Sequence, residues 1–314
     1  MENLIFVINV VLPVFILVIV GYILKLSKLI DEVFIQKTSS FVYNISLPVL
    51  IFMKLYNVDI NKAFDLKMIL LVLSGILVTL LIGILTEKPL KLEPASKGVF
   101  VQGTFRSNYV IVGLAIISRM YGAESLAKAS FLLLFALPLY NLLSVVVLTL
   151  PFHKFGPGTI KQTMYQIILN PLVIAVLLAI PFSLFQIPLA KPVATTANYL
   201  ASIALPIALV GIGGTLELKK AIRASGAAMI SSFVKIVLSP LIIVIMALLW
   251  DIKGEDLGIL FIVFACPTAI ASFVMAAGMK GNIKMAGNIV IISTLGSVFS
   301  LIVGLFLLKQ FALI

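Results

Sequence analysis

Ten apolar runs of about twenty residues fill this chain, and only short loops separate them. A helical run of that length matches the roughly 30 Å hydrocarbon core of a bilayer. Inside lipid a chain must satisfy its own backbone hydrogen bonds, so each run is predicted to be a transmembrane helix. The runs lie at about 5–24, 34–53, 66–85, 99–119, 125–148, 165–184, 193–216, 224–249, 257–278 and 283–308, numbered here as segments 1 to 10. Composition leaves little else. The 314 residues are 62% hydrophobic and 11% charged, where soluble domains are about one quarter charged. The first run lacks a basic leading stretch and a small-residue cleavage site, so it is expected to stay as a helix. The expected class is an all-α membrane protein.

Prolines suggest an internal repeat. Pro13 and Pro171 lie at the starts of segments 1 and 6 (171 − 13 = 158), and Pro48 and Pro206 interrupt segments 2 and 7 (206 − 48 = 158). The same offset carries Tyr109 in segment 4 onto Pro267 in segment 9. Three matches in register predict two five-helix repeats, residues 1–158 and 159–314. Five is odd, so the second copy enters the membrane from the opposite side, an architecture common among secondary transporters.

The net charge of +11 is scattered through short loops, which argues for a topology signal and against nucleic-acid binding. The face carrying loops 1–2, 3–4, 5–6, 7–8 and 9–10 holds thirteen Lys and Arg, and the other face holds eight. The richer face is expected in the cytoplasm, which places both termini outside the cell membrane.

Segment 4 is apolar at its ends and polar in its middle, where Gln102, Gly103, Thr104, Arg106, Ser107 and Asn108 follow one another. A charge at bilayer depth costs about 2.5–3.5 kcal/mol on insertion scales, so Arg106 is expected to be used. Segment 9 carries Cys266 and Pro267 at the matching place. Proline removes a backbone donor and frees a carbonyl. Alone, Pro267 reads as a kink in a packed helix. Paired with the polar middle of segment 4, it predicts two broken helices that cross at the membrane centre, with Ser107, Tyr109, Cys266 and Pro267 at the crossing. Half-helix N-termini there would favour an anion.

Arg106 and Lys235 are the two cations deep within the runs, away from their ends, and no Asp or Glu lies deep in any of them. Uncompensated buried charge is costly, so a negatively charged substrate is the expected partner. The other readings are pairing with backbone carbonyls and, for Lys235, snorkelling to an interface. Asn44, Asn108, Thr268 and Ser272 could complete a polar pocket, although each alone is commonly a helix–helix hydrogen bond. Cys266 is expected to be a small filler, and its being the one cysteine excludes an internal disulfide. Gly211, Gly213 and Gly214 are expected to allow close helix packing. The one histidine, His153, lies in a loop, so neither a histidine metal cluster nor a catalytic triad is expected, and no cofactor is implied. An intramembrane enzyme would need paired Asp, a Ser–His dyad or a metal motif, and none is present.

Several motifs resemble the auxin efflux carrier family, which holds plant PIN-type exporters and bacterial malate permease-like carriers. They are Phe105-Arg106-Ser107-Asn108 with Gly113-Leu114, Leu205-Pro206 with Gly211–Leu216, and Pro267-Thr268-Ala269 with Ser272-Phe273-Val274-Met275-Ala276. The likeness spans essentially the whole chain. It departs at Ala115, where bacterial relatives often have proline, and the long loop of many plant members between helices 5 and 6 is missing. The resemblance implies a fold related to the bile-acid transporters. Helices 1, 2, 6 and 7 would form a dimerising scaffold, and helices 3–5 and 8–10 a moving transport domain. The expected function is secondary transport of a mono- or dicarboxylate such as malate. The alternative is a sodium-coupled symporter of the bile-acid type, for which oxygen ligands near segments 4 and 9 are scarce, Gln102 excepted.

Overall fold

The computed structural model describes residues 2–56, 64–152, 161, 165, 168–216 and 225–314. His153, the 1–158/159–314 boundary, Glu217 and the loop cations Lys62, Lys154, Lys219, Lys220 and Arg223 lie outside these residues. Every regular element described is helical. In chain order they are α1 (Glu2–Leu26), α2 (Glu32–Tyr56), α3 (Leu66–Glu87), α4 (Pro94–Phe105), α5 (Leu114–Thr149), α6 (Pro171–Leu184), α7 (Lys191–Thr215), α8 (Gly226–Leu249), α9 (Gly254–Ala265), α10 (Ala271–Gly278) and α11 (Ile283–Gln310). Among the described residues, seven helices are long and apolar enough to cross a membrane, and Pro171–Leu184 is a shorter apolar helix.

Ten runs become seven long helices among the described residues because two runs are broken and segment 6 is described only as the shorter helix Pro171–Leu184. Segment 4 divides into α4 and the π-turn Tyr109–Gly113 that leads into α5. Segment 9 divides into α9 and α10. Segments 4 and 5 also join without a gap: α5 carries a single non-helical residue, Gly122, with φ 86° and ψ −157°. A positive φ of that kind is open to glycine at little steric cost, so the chain turns there without a loop.

Two expectations about proline fail. Pro13 sits inside α1 and does not begin it, and α7 runs through Pro206 unbroken. A membrane helix tolerates the lost bond when neighbouring groups take up the freed carbonyl. Pro171 does open α6, with the Asn170 side chain accepting from the N–H groups of Leu172 and Val173.

Two groups of helices pack side by side. In one, α1 lies along α7, while α2 packs on both α6 and α7. Backbones meet where Gly21 faces Val210 and Gly213 faces the Val18 carbonyl, so a Cβ at either glycine would strike main chain. Asn170 Nδ2 donates to the Tyr43 hydroxyl at 3.0 Å, and the Leu189 N–H to the Tyr56 hydroxyl at 3.0 Å. The other group joins α3, α4, α5 and α8–α11. There Lys128 pairs with Asp256 at 2.6 Å, Ser125 bonds to Glu255, Asn282 Nδ2 donates to Ser96 at 2.9 Å, and Ser231 Oγ to the Phe100 carbonyl at 2.9 Å. A bond that crosses between the groups, Arg119 to the Asn9 carbonyl, is long at 3.5 Å.

Helix ends in the second group recur at a constant spacing. The N-caps Asp65 and Ser225 are 160 residues apart (225 − 65), as are the N-caps Glu93 and Lys253 (253 − 93). The C-caps Arg106 and Cys266 repeat that spacing (266 − 106), and so do Gly122 and the N-cap Asn282 (282 − 122).

Candidate functional site

Both helix breaks are extended backbone. Arg106 has φ −75° and ψ 110°, and Cys266 has φ −58° and ψ 149°. The two stretches pass each other antiparallel, bridged at Ser107 and Thr268. The Asn108 N–H donates to the Pro267 carbonyl at 2.8 Å, and the Ala269 N–H to the Arg106 carbonyl at 3.2 Å. Backbone released by one break is thus satisfied by the other, as buried backbone in an apolar setting requires.

Side chains complete the exchange. Thr268 Oγ1 donates to the Gly103 carbonyl in the last turn of α4 at 2.8 Å, and Ser107 Oγ to the Val263 carbonyl in the last turn of α9 at 2.6 Å. Each half-helix is capped by a hydroxyl from the opposite break. Gly103 is held close: a Cβ there would lie 2.5 Å from Ser231 Oγ and 2.9 Å from Ile289 Cγ2.

A cavity of about 910 Å³ opens beside this crossing. Arg106, Ser107 and Asn108 line it from one break, and Ala269, Ile270 and Ala271 from the other. From the facing group come Ser39, Ser40 and Tyr43 of α2, Asn170 before α6, and Thr215 at the end of α7. The cavity therefore lies between the two helix groups. Arg106 is the one charged residue among its described lining residues.

Arg106 is 6% exposed, and among the described residues its guanidinium is held by neutral groups. Nη1 reaches Ser144 Oγ at 2.9 Å, Met275 Sδ at 3.1 Å and the Tyr140 carbonyl at 3.4 Å, while Nη2 reaches Asn141 Oδ1 at 2.8 Å. These contacts orient the fork and leave its charge uncancelled. The π-turn Tyr109–Gly113 and α10 both begin at the cavity, and the first-turn N–H groups of α10 are already bonded, Ser272 to the Ala269 carbonyl at 2.9 Å and Phe273 to the Ile270 carbonyl at 3.0 Å. A second cavity of about 520 Å³ shares Thr215 and Ile270 with the first and is lined by Lys25, Glu32, Gln36, Lys284 and Asn288.

Of the residues singled out in the sequence, the cavity gathers Arg106, Ser107 and Asn108. Thr268 is fully buried in the crossing as a cap, and Tyr109, Cys266 and Pro267 are buried there too. Ser272 is buried with an unpaired hydroxyl, away from the lining. Asn44 is exposed and turned back on its own helix, its Nδ2 donating to the Ser40 carbonyl at 2.8 Å. Lys235 is buried elsewhere, donating to the Phe264 carbonyl at 2.6 Å. For Lys235 the carbonyl pairing held open from the sequence is what the structure has, and it places that ammonium outside the pocket. Residues missed in the sequence are Tyr140, Asn141 and Ser144, whose spacing puts them on one face of α5. That polar face in an apolar run was the available signal. Among the described residues, no group of three or more His, Cys, Asp or Glu could hold a metal.

The chain matches the family described as "Membrane transport protein" over residues 6–155 and 158–305. It is 27% identical over 303 residues to an uncharacterized transporter of Methanocaldococcus jannaschii, covering 94% of this chain and 96% of that protein. It is 24% identical over 296 residues to an uncharacterized transporter of Methanothermobacter thermautotrophicus, covering 93% of this chain and 95% of that one. With seven long apolar helices among the described residues and a match across nearly its whole length, the chain belongs to the membrane transport protein family of the auxin efflux carriers.

Proposed function

We propose that this transporter is a secondary carrier of small organic anions, mono- or dicarboxylates such as malate. The observation that carries the reading is Arg106: a buried guanidinium, oriented by neutral acceptors, as the one charge on the described lining of a 910 Å³ cavity. A planar fork matches a carboxylate in two parallel hydrogen bonds. In this reading the substrate carboxylate meets Arg106, while Asn108, Tyr43 and Asn170 contact the rest of the molecule.

The reading extends to architecture. The constant 160-residue spacing of helix ends supports two inverted five-helix repeats, ten spans in all, with segments 4 and 9 as the crossing helices. Transport is by an elevator motion, in which the group holding the crossing slides along the group of α1, α2, α6 and α7. In support, hydrogen bonds are dense within each group and the cavity lies between them. Of the seven long helices α7 is the least buried. That leaves a face for lipid or for a second copy, and we propose a homodimer through this group. The excess of loop Lys and Arg supports a protein of the cell membrane with both termini outside.

Purified protein in proteoliposomes, loaded with unlabelled anion and offered labelled mono- and dicarboxylates, tests the reading. Uptake of at least one is expected. Arg106→Lys keeps the charge without the fork and should transport weakly, while Arg106→Ala should fold and abolish uptake. Removing one member of a desolvated charge pair costs about 2–5 kcal/mol, roughly 30-fold to several thousand-fold in affinity. No uptake across a broad panel of organic anions, or parental uptake by Arg106→Ala, overturns the assignment.

A further inference from the structure

Lys235 is the intramembrane cation that the central cavity does not use. It is 0% exposed, and its ammonium donates to the Phe264 carbonyl at 2.6 Å. Phe264 belongs to the last turn of α9, where carbonyls have no partner within the helix. Donors from three different places meet these carbonyls in succession. The Cys266 N–H takes Ile262 at 3.1 Å, the Ser107 hydroxyl takes Val263 at 2.6 Å, and Lys235 takes Phe264. The negative end of this half-helix therefore terminates on the amino group of a lysine.

The other half-helix differs. At the end of α4 the Gln102 carbonyl accepts from the Arg106 N–H at 3.1 Å and the Gly103 carbonyl from the Thr268 hydroxyl, both neutral donors. The residue 160 positions before Lys235 is Gly75, which has no side chain to offer. The ammonium is thus an addition to one repeat. Its helix is shaped around it: Lys235 sits in the π-turn Val234–Leu238, and the Ser300 hydroxyl donates to the Ile236 carbonyl inside that turn. Single π-turns within α-helices are often found at functional positions.

We propose that Lys235 is a positioning residue that acts as a tethered cation, occupying at the end of α9 the place a bound monovalent cation would take, so that the carrier works without sodium. Backbone carbonyls at half-helix C-termini are the ligands with which membrane carriers hold sodium. Here the amino group of a lysine, on a four-carbon stem of the chain itself, stands at that carbonyl. The capping role stands independently of which substrate is carried, and sodium independence rests on the carrier reading above.

The test compares the parent with Lys235→Ala and Lys235→Met, each purified with N-methylglucamine, sodium or ethylammonium as the main cation. Thermal unfolding in detergent needs no substrate, so it separates failure of this inference from failure of the carrier reading. Parental stability and uptake should be indifferent to sodium. The alanine variant leaves room at the Phe264 carbonyl, and sodium or ethylammonium should raise its midpoint well beyond any shift in the parent. The methionine variant fills the space without charge. It should fold, transport at least about tenfold more slowly, since a buried carbonyl loses its charged donor, and ignore ethylammonium. Sodium-dependent uptake by the parent, equal cation shifts for parent and alanine variant, or parental uptake by the methionine variant each overturns the proposal. If the alanine variant yields no folded protein in any cation, the parental sodium test and the methionine variant decide it.

Discussion

At the scale of single residues, Arg106 shows how a membrane protein keeps a charge without a counter-ion. Ser144, Asn141, the Tyr140 carbonyl and Met275 supply dipoles and lone pairs where a carboxylate would have neutralised the group. A hydrogen bond to a charged donor is worth about 1.5–3 kcal/mol. Loss of the Asn141 acceptor should therefore leave the fork present but poorly aimed. We expect Asn141→Ala to raise the KM for the transported anion roughly tenfold or more, with little change in thermal midpoint. An unchanged KM would show that Asn141 fills space and does not orient Arg106. The sequence marked Arg106 because charge inside an apolar run is conspicuous. It did not mark Asn141 and Ser144 as its partners, because their meeting depends on how α5 is turned against the break.

At the scale of elements, the crossing is two half-helices that cap each other. Thr268 and Ser107 exchange hydroxyls across it, and backbone bonds from Asn108 and Ala269 close it. Thr268→Val keeps the shape of the side chain and leaves the buried Gly103 carbonyl unpaired. That penalty is about 1–3 kcal/mol, so we expect a lowered thermal midpoint for Thr268→Val and a nearly parental one for Thr268→Ser. Equal loss in both variants would assign the effect to packing. The polar middle of segment 4 and Pro267 in segment 9 made the breaks legible. Pro13 and Pro206 misled, because proline in a membrane helix only removes a bond, and whether the helix breaks depends on what else can bond the freed groups. The spacing of 158 residues between prolines becomes 160 between helix ends. In the proposed repeats that spacing pairs Pro267 with Ser107 (267 − 107 = 160), where the prolines alone pair it with Tyr109.

At the scale of the whole molecule, the cavity lies on the boundary between two helix groups, with Tyr43 on one wall and Ile270 on the other. If the groups slide past each other in transport, a covalent link across that boundary must stop the cycle. We expect Tyr43→Cys with Ile270→Cys, linked by a short bifunctional reagent, to lose uptake, which returns when a reducible linker is cleaved. A linked protein that transports at the rate of the unlinked one would exclude a sliding motion. Both positions line the cavity and Tyr43 is a proposed substrate contact, so uptake by the unlinked double variant is measured against the parent first, and the linked protein is read against the unlinked one.

Membrane helices, a polar crossing near residues 106 and 267, and a charge that needs a partner follow from the sequence alone, because lipid makes length, hydrophobicity and buried charge almost sufficient constraints. The roles of Lys235, Thr268 and Asn44 do not follow. Each is a polar residue in an apolar run, and from the sequence each looks equally able to meet a ligand. Tertiary packing separated them: Lys235 points to the end of α9, Thr268 to the end of α4, Asn44 back to its own helix and Arg106 into the cavity. Which partner a buried polar group finds is decided by the rotation and depth of neighbouring helices, and hydropathy, being one-dimensional, carries neither.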